Sequence, residues 1–296
     1  MKVLVSGSTG FVGSHVLNEL RKNGHTPIRL MRAASVGNDV LWDSRYGQFM
    51  VPPAEQFDAV VHLSGENIVN SRWNDDFKKK IRDSRVKYTQ QLVSAVLALP
   101  KPPTLFICAS AIGFYGDRGE DVLTEESSKG EGFLADVCQE WENATSPLKE
   151  KNIRVANMRF GVILGAGHGA LKNMKLPFKL GLGGVIGSGK QYWSWIDIAD
   201  AAKAIVHTIN TPAIQGPVNV VAPQPVTNKE FTEAMGYVLS RPTLFPMPAF
   251  AAKLAFGEMA EALFLASNRI KPAKLEANGF KFDFPDLKGC LSRHLN

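Results

Sequence analysis

Cysteine is scarce in this chain of 296 residues. Its three cysteines, Cys108, Cys138 and Cys290, have neither a disulfide-framework pattern nor the spacing of zinc ligands. We therefore expect no disulfides and no metal site. A low cysteine count is typical of a reducing compartment, so we expect a cytoplasmic location.

The sequence also lacks a long uninterrupted apolar run. Its most apolar late stretch, residues 249–266, contains Lys253, Glu258 and Glu261, which predicts an amphipathic helix and not a membrane span. The first predicted strand begins at Lys2, so we expect no signal peptide. These observations predict no membrane partner.

Positive charge exceeds negative charge, with a formal net charge of +6 and a pI near 9.2. The densest basic group lies in residues 72–87, where Asp75, Asp76 and Asp83 interrupt it. Interleaved charges of this kind indicate a solvated helix face, so we expect no nucleic-acid partner. The excess of positive charge would attract a phosphorylated substrate or cofactor.

Glycine marks the start of the chain. A short apolar strand over residues 2–6 leads into the segment Gly7-Ser8-Thr9-Gly10-Phe11-Val12-Gly13, and a helix is predicted after it. Glycines in this order permit a tight turn, close approach to a pyrophosphate and close packing of helix on strand. The segment therefore predicts dinucleotide binding, with all seven residues contributing to the site.

Predicted strands and helices alternate through the first half of the chain. Strands are predicted at residues 27–31, 40–42, 57–63, 104–109 and 154–159, and a long helix at residues 74–99. This alternation predicts an α/β fold with a Rossmann-type, doubly wound parallel sheet. We expect a cofactor domain over residues 1–165, with a return segment at about 195–223. Residues 166–194 and 224–296 would form a smaller, mostly helical substrate lobe.

The residue at the end of the second predicted strand indicates which dinucleotide is bound. An acid at this position binds the ribose 2′-hydroxyl of NAD, whereas a base accommodates the 2′-phosphate of NADP. Arg32 occupies the position, and no acid occurs between Gly24 and Asn38. A guanidinium pairs well with a phosphate, so the sequence predicts NADP(H).

Several segments resemble the extended short-chain dehydrogenase/reductases. They are Gly7 to Gly13, the segment His62-Leu63-Ser64-Gly65-Glu66-Asn67, residues 109–116, residues 158–165 and residues 195–200. Residues 65–68, 72–73 and 180–184 resemble the atypical branch known as epimerase family proteins or nucleoside-diphosphate-sugar epimerases. The resemblance implies cofactor contacts from Leu63, Ser64, Gly65 and Glu66. Arg159 is also a predicted cofactor-binding residue, which would reach into the cleft beside the substrate loop or only brace that cleft.

The superfamily's usual catalytic set is a serine with a Tyr-x-x-x-Lys pair, in which the lysine and the nicotinamide charge lower the pKa of the tyrosine. Ser110 stands at the serine position. The best register places Leu134 and Cys138 where the tyrosine and lysine belong, and none of the five tyrosines is followed by lysine four residues later. Two hypotheses remain for Tyr115: it replaces the missing tyrosine as the acid, or its ring only packs against the cofactor or substrate.

Other side chains with reactive or titratable groups are predicted to have structural roles. We expect His62 to be a satisfied core histidine, Cys138 a buried thiol, and Asp197 and Asp200 helix caps. Substrate contacts are predicted in the glycine-rich loop, where Lys190 would meet a phosphate. The candidate substrate residues are Gly187, Ser188 and Lys190.

Two functions remain open from the sequence. The first is an NADP(H)-dependent oxidoreductase or epimerase acting on a nucleotide sugar or a similar hydroxyl or carbonyl compound. The second is an NADP(H)-binding regulatory or interaction protein with weak or no catalysis. The chain would act as a monomer or a homodimer, because the predicted long helix could pair with a second copy.

Overall fold

The computed structural model describes residues 1–32, 39–43, 48–50 and 56–295. The strands are β1 (Lys2–Ser6), β2 (Thr26–Met31), β3 (Val40–Asp43), β4 (Gln48–Met50), β5 (Ala59–His62), β6 (Leu105–Ala111), β7 (Val122–Leu123), β8 (Arg154–Phe160), β9 (Val162–Leu164), β10 (Tyr192–Trp193), β11 (Trp195–Asp197), β12 (Gly216–Val220), β13 (Val226–Thr227) and β14 (Arg269–Ile270). The helices are α1 (Phe11–Lys22), α2 (Asp75–Asp83), α3 (Val86–Leu97), α4 (Phe133–Asn143), α5 (Ser146–Glu150), α6 (Gly169–Lys179), α7 (Ile198–Asn210), α8 (Asn228–Leu239), α9 (Ala249–Phe256), α10 (Glu258–Ala260), α11 (Ala273–Ala277) and α12 (Leu287–Leu295).

An eight-stranded sheet has the order β12-β8-β6-β5-β1-β2-β3-β4. The pairs β1–β2, β1–β5, β2–β3 and β5–β6 are parallel, whereas β4 runs antiparallel to β3. Every residue of β5 is buried, as expected for a strand covered on both faces by helices. The predicted Rossmann-type fold is confirmed, and β4 is an edge strand that the sequence did not predict.

The predicted helix over residues 74–99 is wrong as a single element, because the structure has α2 and α3 there. Asn74 caps α2 by accepting a hydrogen bond from the Phe77 N–H at 2.8 Å. At the end of α2, the Ser84 hydroxyl donates to Ile81 O and accepts from the Glu66 N–H. This side chain ties the break between the two helices to a neighbouring loop.

The chain divides into two compact units. The first comprises Met1–Ser110, Val137–Arg159 and Ala202–Val218, and the second comprises Ala111–Asp136, Phe160–Ala201 and Asn219–Asn296. The first unit contains most of the large sheet. The predicted division into a cofactor domain and a substrate lobe is a functional one, and it stays a prediction.

The second unit is built from two-stranded sheets and helices. The sheets pair β10 with β13, β9 with β11, and β7 with β14. Trp193, Trp195, Phe231 and Leu291 pack in one of its buried clusters. The sequence predicts that residues 195–200 start a helix; in the structure this segment begins with strand β11, and α7 starts only at Ile198.

The stretch at residues 249–266 is also divided in the structure. Gly257, with a φ of +62°, separates α9 from α10, and a π-helical turn over Glu261–Leu265 follows. The expected single amphipathic helix is therefore wrong. Within the described residues, no helix combines the length and the apolar character that crossing a bilayer requires.

Candidate functional site

The turn between β1 and α1 is made from backbone groups. Gly7 has a φ of +67°, and the Gly10 N–H donates to Gly7 O at 3.0 Å. Gly10 precedes the first residue of α1, and no side chain of the described residues caps this helix end. The first N–H groups of α1 therefore suit an anion, which the helix dipole also favours.

Two glycines of this turn have no room for a side chain. A Cβ atom at Gly13 would lie 2.2 Å from Gly7 O, and one at Gly7 would lie 2.8 Å from the carbonyl carbon of Leu63. A Cβ at Gly10 would lie 3.2 Å from Gly7 O, which is closer than most real Cβ contacts. Helix α1 thus packs directly on the turn, and the residues present fit a dinucleotide.

The other members of the turn differ in exposure. Ser8 is buried, with its hydroxyl 3.6 Å from Met31 Sδ, and Thr9 is exposed. Phe11 and Val12 are half-buried at the start of α1. Their predicted contacts with the cofactor stay predictions.

Arg32 is exposed directly after β2. The first acid beyond it in sequence, Asp39, is bound by Arg29 through two short contacts, Nε to Oδ1 at 2.9 Å and Nη2 to Oδ2 at 2.6 Å. This ion pair occupies both oxygens of the Asp39 carboxylate. The described residues after β2 therefore present a cation, and the nearest acid in sequence is already paired.

The segment that follows β5 is fixed by side chains from other elements. The Leu63 N–H donates to Ser6 Oγ at 3.2 Å, and the Glu66 N–H donates to Ser84 Oγ at 3.0 Å. The Glu66 carboxylate accepts from Asn70 Nδ2 at 3.0 Å. Ser64 is half-buried and Gly65 is exposed. This part of the predicted cofactor site is held in place by local hydrogen bonds.

His62 is a core histidine, as the sequence predicted. Its Nδ1 lies 2.6 Å from Ser6 Oγ and its Nε2 lies 3.0 Å from Thr89 Oγ1, which also accepts from Trp141 Nε1. Burial lowers the pKa of His62 from 6.5 to about 4. The imidazole is therefore neutral at physiological pH and serves a buried hydrogen-bond network.

Ser110 belongs to a buried polar cluster that the sequence did not predict. Its hydroxyl donates to Glu142 Oε1 at 2.8 Å. Arg159 donates two hydrogen bonds to the same carboxylate, from Nε to Oε1 at 2.7 Å and from Nη2 to Oε2 at 2.8 Å. The side chains of Arg159 and Glu142 are only 4% and 12% exposed. Arg159 thus orients the Glu142 carboxylate, and its predicted place in the cofactor site stays a prediction.

Glu142 is the residue of this cluster that sequence reasoning missed. In the sequence it matches only the glutamate that commonly ends the Tyr-x-x-x-Lys motif, four residues after Cys138. The signal that could have found it is its position on the side of α4 that also carries buried Cys138 and Trp141. A carboxylate on a buried helix face predicts a partner cation.

Helix α4 carries no tyrosine or lysine, since its sequence is FLADVCQEWEN. Leu134 packs near Gly113, where a Cβ atom would lie 3.1 Å from Leu134 Cβ. Cys138 is 3% exposed, which confirms the expected buried thiol. All three cysteines of the chain are buried.

Tyr115 lies in the second unit and is fully buried. Its hydroxyl donates to Asn219 Oδ1 at 2.7 Å, and its ring packs with Leu123, Val221 and Ile270. This environment favours the packing hypothesis for Tyr115 over the acid hypothesis. Its catalytic assignment stays a prediction.

The predicted substrate loop is also in the second unit, and residues 181–190 form neither helix nor strand. Gly187 has a φ of +62°, and the Lys190 N–H donates to Ser188 Oγ at 3.2 Å. Gln191 Nε2 anchors the end of the loop by donating to Ile186 O and Phe264 O. Ser188 and Lys190 are exposed, so both side chains are accessible within this unit.

Asp197 acts as a helix cap, because its Oδ1 accepts from the Ala199 N–H at 2.7 Å. Its Oδ2 lies 2.7 Å from His294 Nε2 and 3.4 Å from Cys290 Sγ. Burial acts to raise the pKa of Asp197, but the hydrogen bonds from His294, Ala199 and Cys290 together outweigh it, so the pKa is lowered. Asp200 instead accepts from the backbone N–H groups of residues 283 and 284, so it ties α7 to the C-terminal segment.

Comparison with known proteins places these features in a family. Residues 3–221 match the sequence model of the NAD dependent epimerase/dehydratase family, and residues 247–293 match a domain of unknown function, DUF1731. Epimerase family protein Mb2239 of Mycobacterium bovis is 42% identical, over 95% of this chain and 93% of the relative.

Two solved structures are similar over the whole chain. The human epimerase family protein SDR39U1 with NADPH superposes with a TM-score of 0.91, at 34% identity, and the match covers 100% of this chain and 99% of that one. The nucleoside-diphosphate sugar epimerase from Corynebacterium glutamicum has a TM-score of 0.79 at 35% identity, covering 100% of this chain and 58% of that one.

Proposed function

The chain belongs to the NAD-dependent epimerase/dehydratase family, and on that premise we propose that it is an NADP(H)-dependent oxidoreductase or epimerase. Its substrate would be a nucleotide sugar or a similar small hydroxyl or carbonyl compound. The observation that carries the proposal is the hydrogen bond from Ser110 to a carboxylate fixed by Arg159. A nucleotide sugar is favoured by the name of the Corynebacterium relative.

The Ser110–Glu142 pair offers a route for a proton without the missing tyrosine. A substrate hydroxyl would donate to Ser110 Oγ while the serine proton passes to Glu142, which Arg159 keeps oriented. Reduction would run the same transfers in reverse. A bound nicotinamide would be the hydride donor or acceptor. Low local polarity strengthens such hydrogen bonds, and a fixed carboxylate can act as a general base.

The proposal is tested by turnover in NADPH-saturated protein offered a panel of nucleotide sugars and small carbonyl compounds. Loss of nicotinamide absorbance and incorporation of solvent deuterium are followed. Ser110→Ala and Glu142→Gln are each expected to lower turnover by about 100-fold, a usual contribution of positioned acid–base groups. Ser94→Ala, an exposed change on α3, is the matched control. Equal rates for Ser110→Ala and the wild type would refute the assignment.

The proposal specifies NADP(H) because Arg32 is exposed after β2 and Asp39 is already paired with Arg29. The human relative was solved with NADPH, which supports the same choice. Arg32→Ala is expected to raise the Kd for NADPH about 30-fold, since charge-assisted contacts to a phosphate are lost, and to leave that for NADH unchanged.

Calorimetric titration of both cofactors measures this difference. Arg21→Ala, which removes another exposed arginine from the first unit, should leave both dissociation constants unchanged. The preference for NADP(H) is disproved if the wild type binds NADH as tightly as NADPH.

A second candidate function is favoured by the burial of both candidate hydroxyls. Ser110 is 3% exposed, and the hydroxyl of buried Tyr115 is engaged by Asn219. A protein of this kind would bind NADP(H) tightly and present a surface to a partner without catalysis. Tight NADPH binding with no turnover of any compound in the panel would favour this alternative.

The exposed loop residues Ser188 and Lys190 extend the proposal to the substrate. The ammonium group of Lys190 suits a phosphate, and the Gly187 backbone permits close approach of a ligand. These assignments are supported by exposure and by the fixed geometry of the loop.

A further inference from the structure

Three side chains that can bind a metal ion meet where β11 contacts α12, within the second unit. Asp197 ends β11, whereas Cys290 and His294 lie on α12. Asp197 Oδ2 is 3.4 Å from Cys290 Sγ and 2.7 Å from His294 Nε2. One ligand atom of each residue lies within 4.8 Å of the other two. Among the described residues, no other three histidine, cysteine or acidic side chains converge in this way.

The spacing along α12 explains why two of these ligands are neighbours. Residues four apart lie on the same face of a helix, and Cys290 and His294 have that spacing. The third ligand is fixed, because Asp197 Oδ1 accepts from the Ala199 N–H while Oδ2 meets both side chains of α12. The expectation of no metal site came from the spacing of cysteines, and this cluster contains only one cysteine.

The distances suit a tetrahedral zinc ion. Zinc binds a thiolate sulfur at about 2.3 Å and an imidazole nitrogen or carboxylate oxygen at about 2.0 Å. Tetrahedral angles then place sulfur about 3.5 Å from oxygen, and nitrogen about 3.3 Å from oxygen. The observed 3.4 Å between Cys290 Sγ and Asp197 Oδ2 already fits this geometry. The 2.7 Å between His294 Nε2 and Asp197 Oδ2 has to open by about 0.6 Å, which a small rotation of the imidazole provides.

The charges of the cluster balance around a divalent cation. A carboxylate and a thiolate carry two negative charges, and a neutral imidazole adds none, so the occupied site is neutral. The side chain of His294 is 7% exposed, and Asp197 and Cys290 are fully buried. The competing cation is Arg293, whose Nη1 lies 3.6 Å from Asp197 Oδ1. This side chain is 43% exposed, so it can turn toward solvent when a metal ion binds.

We propose that Asp197, Cys290 and His294 bind Zn²⁺, with a water molecule as the fourth ligand, and that the ion holds α12 against β11. Binding breaks the S–H bond of Cys290 and forms a zinc–sulfur bond, and the thiol proton passes to solvent. The mixed sulfur, nitrogen and oxygen donors select Zn²⁺ over Mg²⁺ and Ca²⁺, which prefer oxygen ligands alone. The inference is independent of the proposed reaction and of its cofactor.

The test uses Co²⁺ as the probe in full-length protein from which a chelator has removed metal. A thiolate bound to Co²⁺ gives a charge-transfer band in the near ultraviolet, and displacement of this band by Zn²⁺ gives the zinc Kd. Cys290→Ala and His294→Gln are each expected to weaken zinc binding at least about 100-fold, the upper range even for loss of a supporting partner. Arg293→Gln should tighten zinc binding about threefold, because it removes the competing cation.

Cys138→Ala and His168→Gln are the matched controls, since they remove a buried cysteine and an exposed histidine outside the cluster. Both should keep the band and the zinc Kd of the wild type. Thermal unfolding without metal checks the fold of each variant, and Zn²⁺ should raise the Tm of the wild type but not that of Cys290→Ala. Folded wild type without the band would overturn the inference. A band of equal strength in Cys290→Ala would also overturn it, because the bound ion would then be adventitious.

Discussion

Replacing Arg159 by methionine is expected to lower the free energy of unfolding by about 4 kcal/mol, because breaking a buried ion pair leaves an uncompensated charge. The Arg159 guanidinium meets Glu142 through two contacts of 2.7 and 2.8 Å, and both side chains are largely shielded from water. Methionine fills much of the same volume, so the effect measures loss of the cation more than loss of packing. Urea unfolding at neutral pH provides the measurement.

The Arg82–Glu140 pair gives a matched control from the same helix, α4. It joins the same residue types at 3.3 Å, but its side chains are 45% and 42% exposed. Arg82→Met should therefore cost no more than about 1 kcal/mol. The double variant Arg159→Met with Glu142→Gln should recover part of the loss, since it removes the stranded carboxylate. Equal costs for Arg159→Met and Arg82→Met would show that the buried cluster contributes no special stability.

The folded protein is expected to lose about 2 kcal/mol of stability between pH 7 and pH 5 through His62 alone. Burial lowers the pKa of this imidazole from 6.5 to about 4. Between those values the unfolded chain takes up a proton that the folded protein excludes. The stability linked to His62 is therefore fully present above pH 6.5 and is lost as the pH falls toward 4.

The measurement is the pH dependence of the unfolding free energy in the wild type and in His62→Gln. Glutamine keeps a donor and an acceptor for Ser6 and Thr89 but does not titrate, so the variant should lose less stability on acidification. His168→Gln is the control, because His168 is exposed. Parallel pH profiles for the wild type and His62→Gln would contradict the expected role of His62.

The parts of the fold that were predictable are those encoded locally. Buried strands such as β1 and β5 appear as short apolar runs, and the glycines of the first turn mark where β1 meets α1. The break between α2 and α3 was not predictable, because it depends on Ser84 binding the Glu66 N–H, a contact 18 residues away in sequence. Helical periodicity continues across such a break, so the pattern alone predicts one helix.

The candidate site shows the same limit. Ser110 and the glycine turn were found because a family pattern and a backbone requirement mark them in sequence. Glu142 was missed because its role arises from a pairing with Ser110, which lies 32 residues away in sequence. Burial and the position of a partner decide whether a charged side chain is solvated or functional. Neither can be predicted from the spacing of residues within one helix or strand.

Each unit contains a buried cysteine whose reactivity depends on local opening of that unit. Cys108 lies in the first unit and Cys290 in the second, both fully inaccessible in the folded state. Burial also raises the pKa of both thiols, which suppresses the reactive thiolate. Alkylating reagents can therefore label either cysteine only while its surroundings are transiently open. The rate at which each single-cysteine variant is labelled would therefore report how often its unit opens. No dye needs to be attached to the protein beforehand.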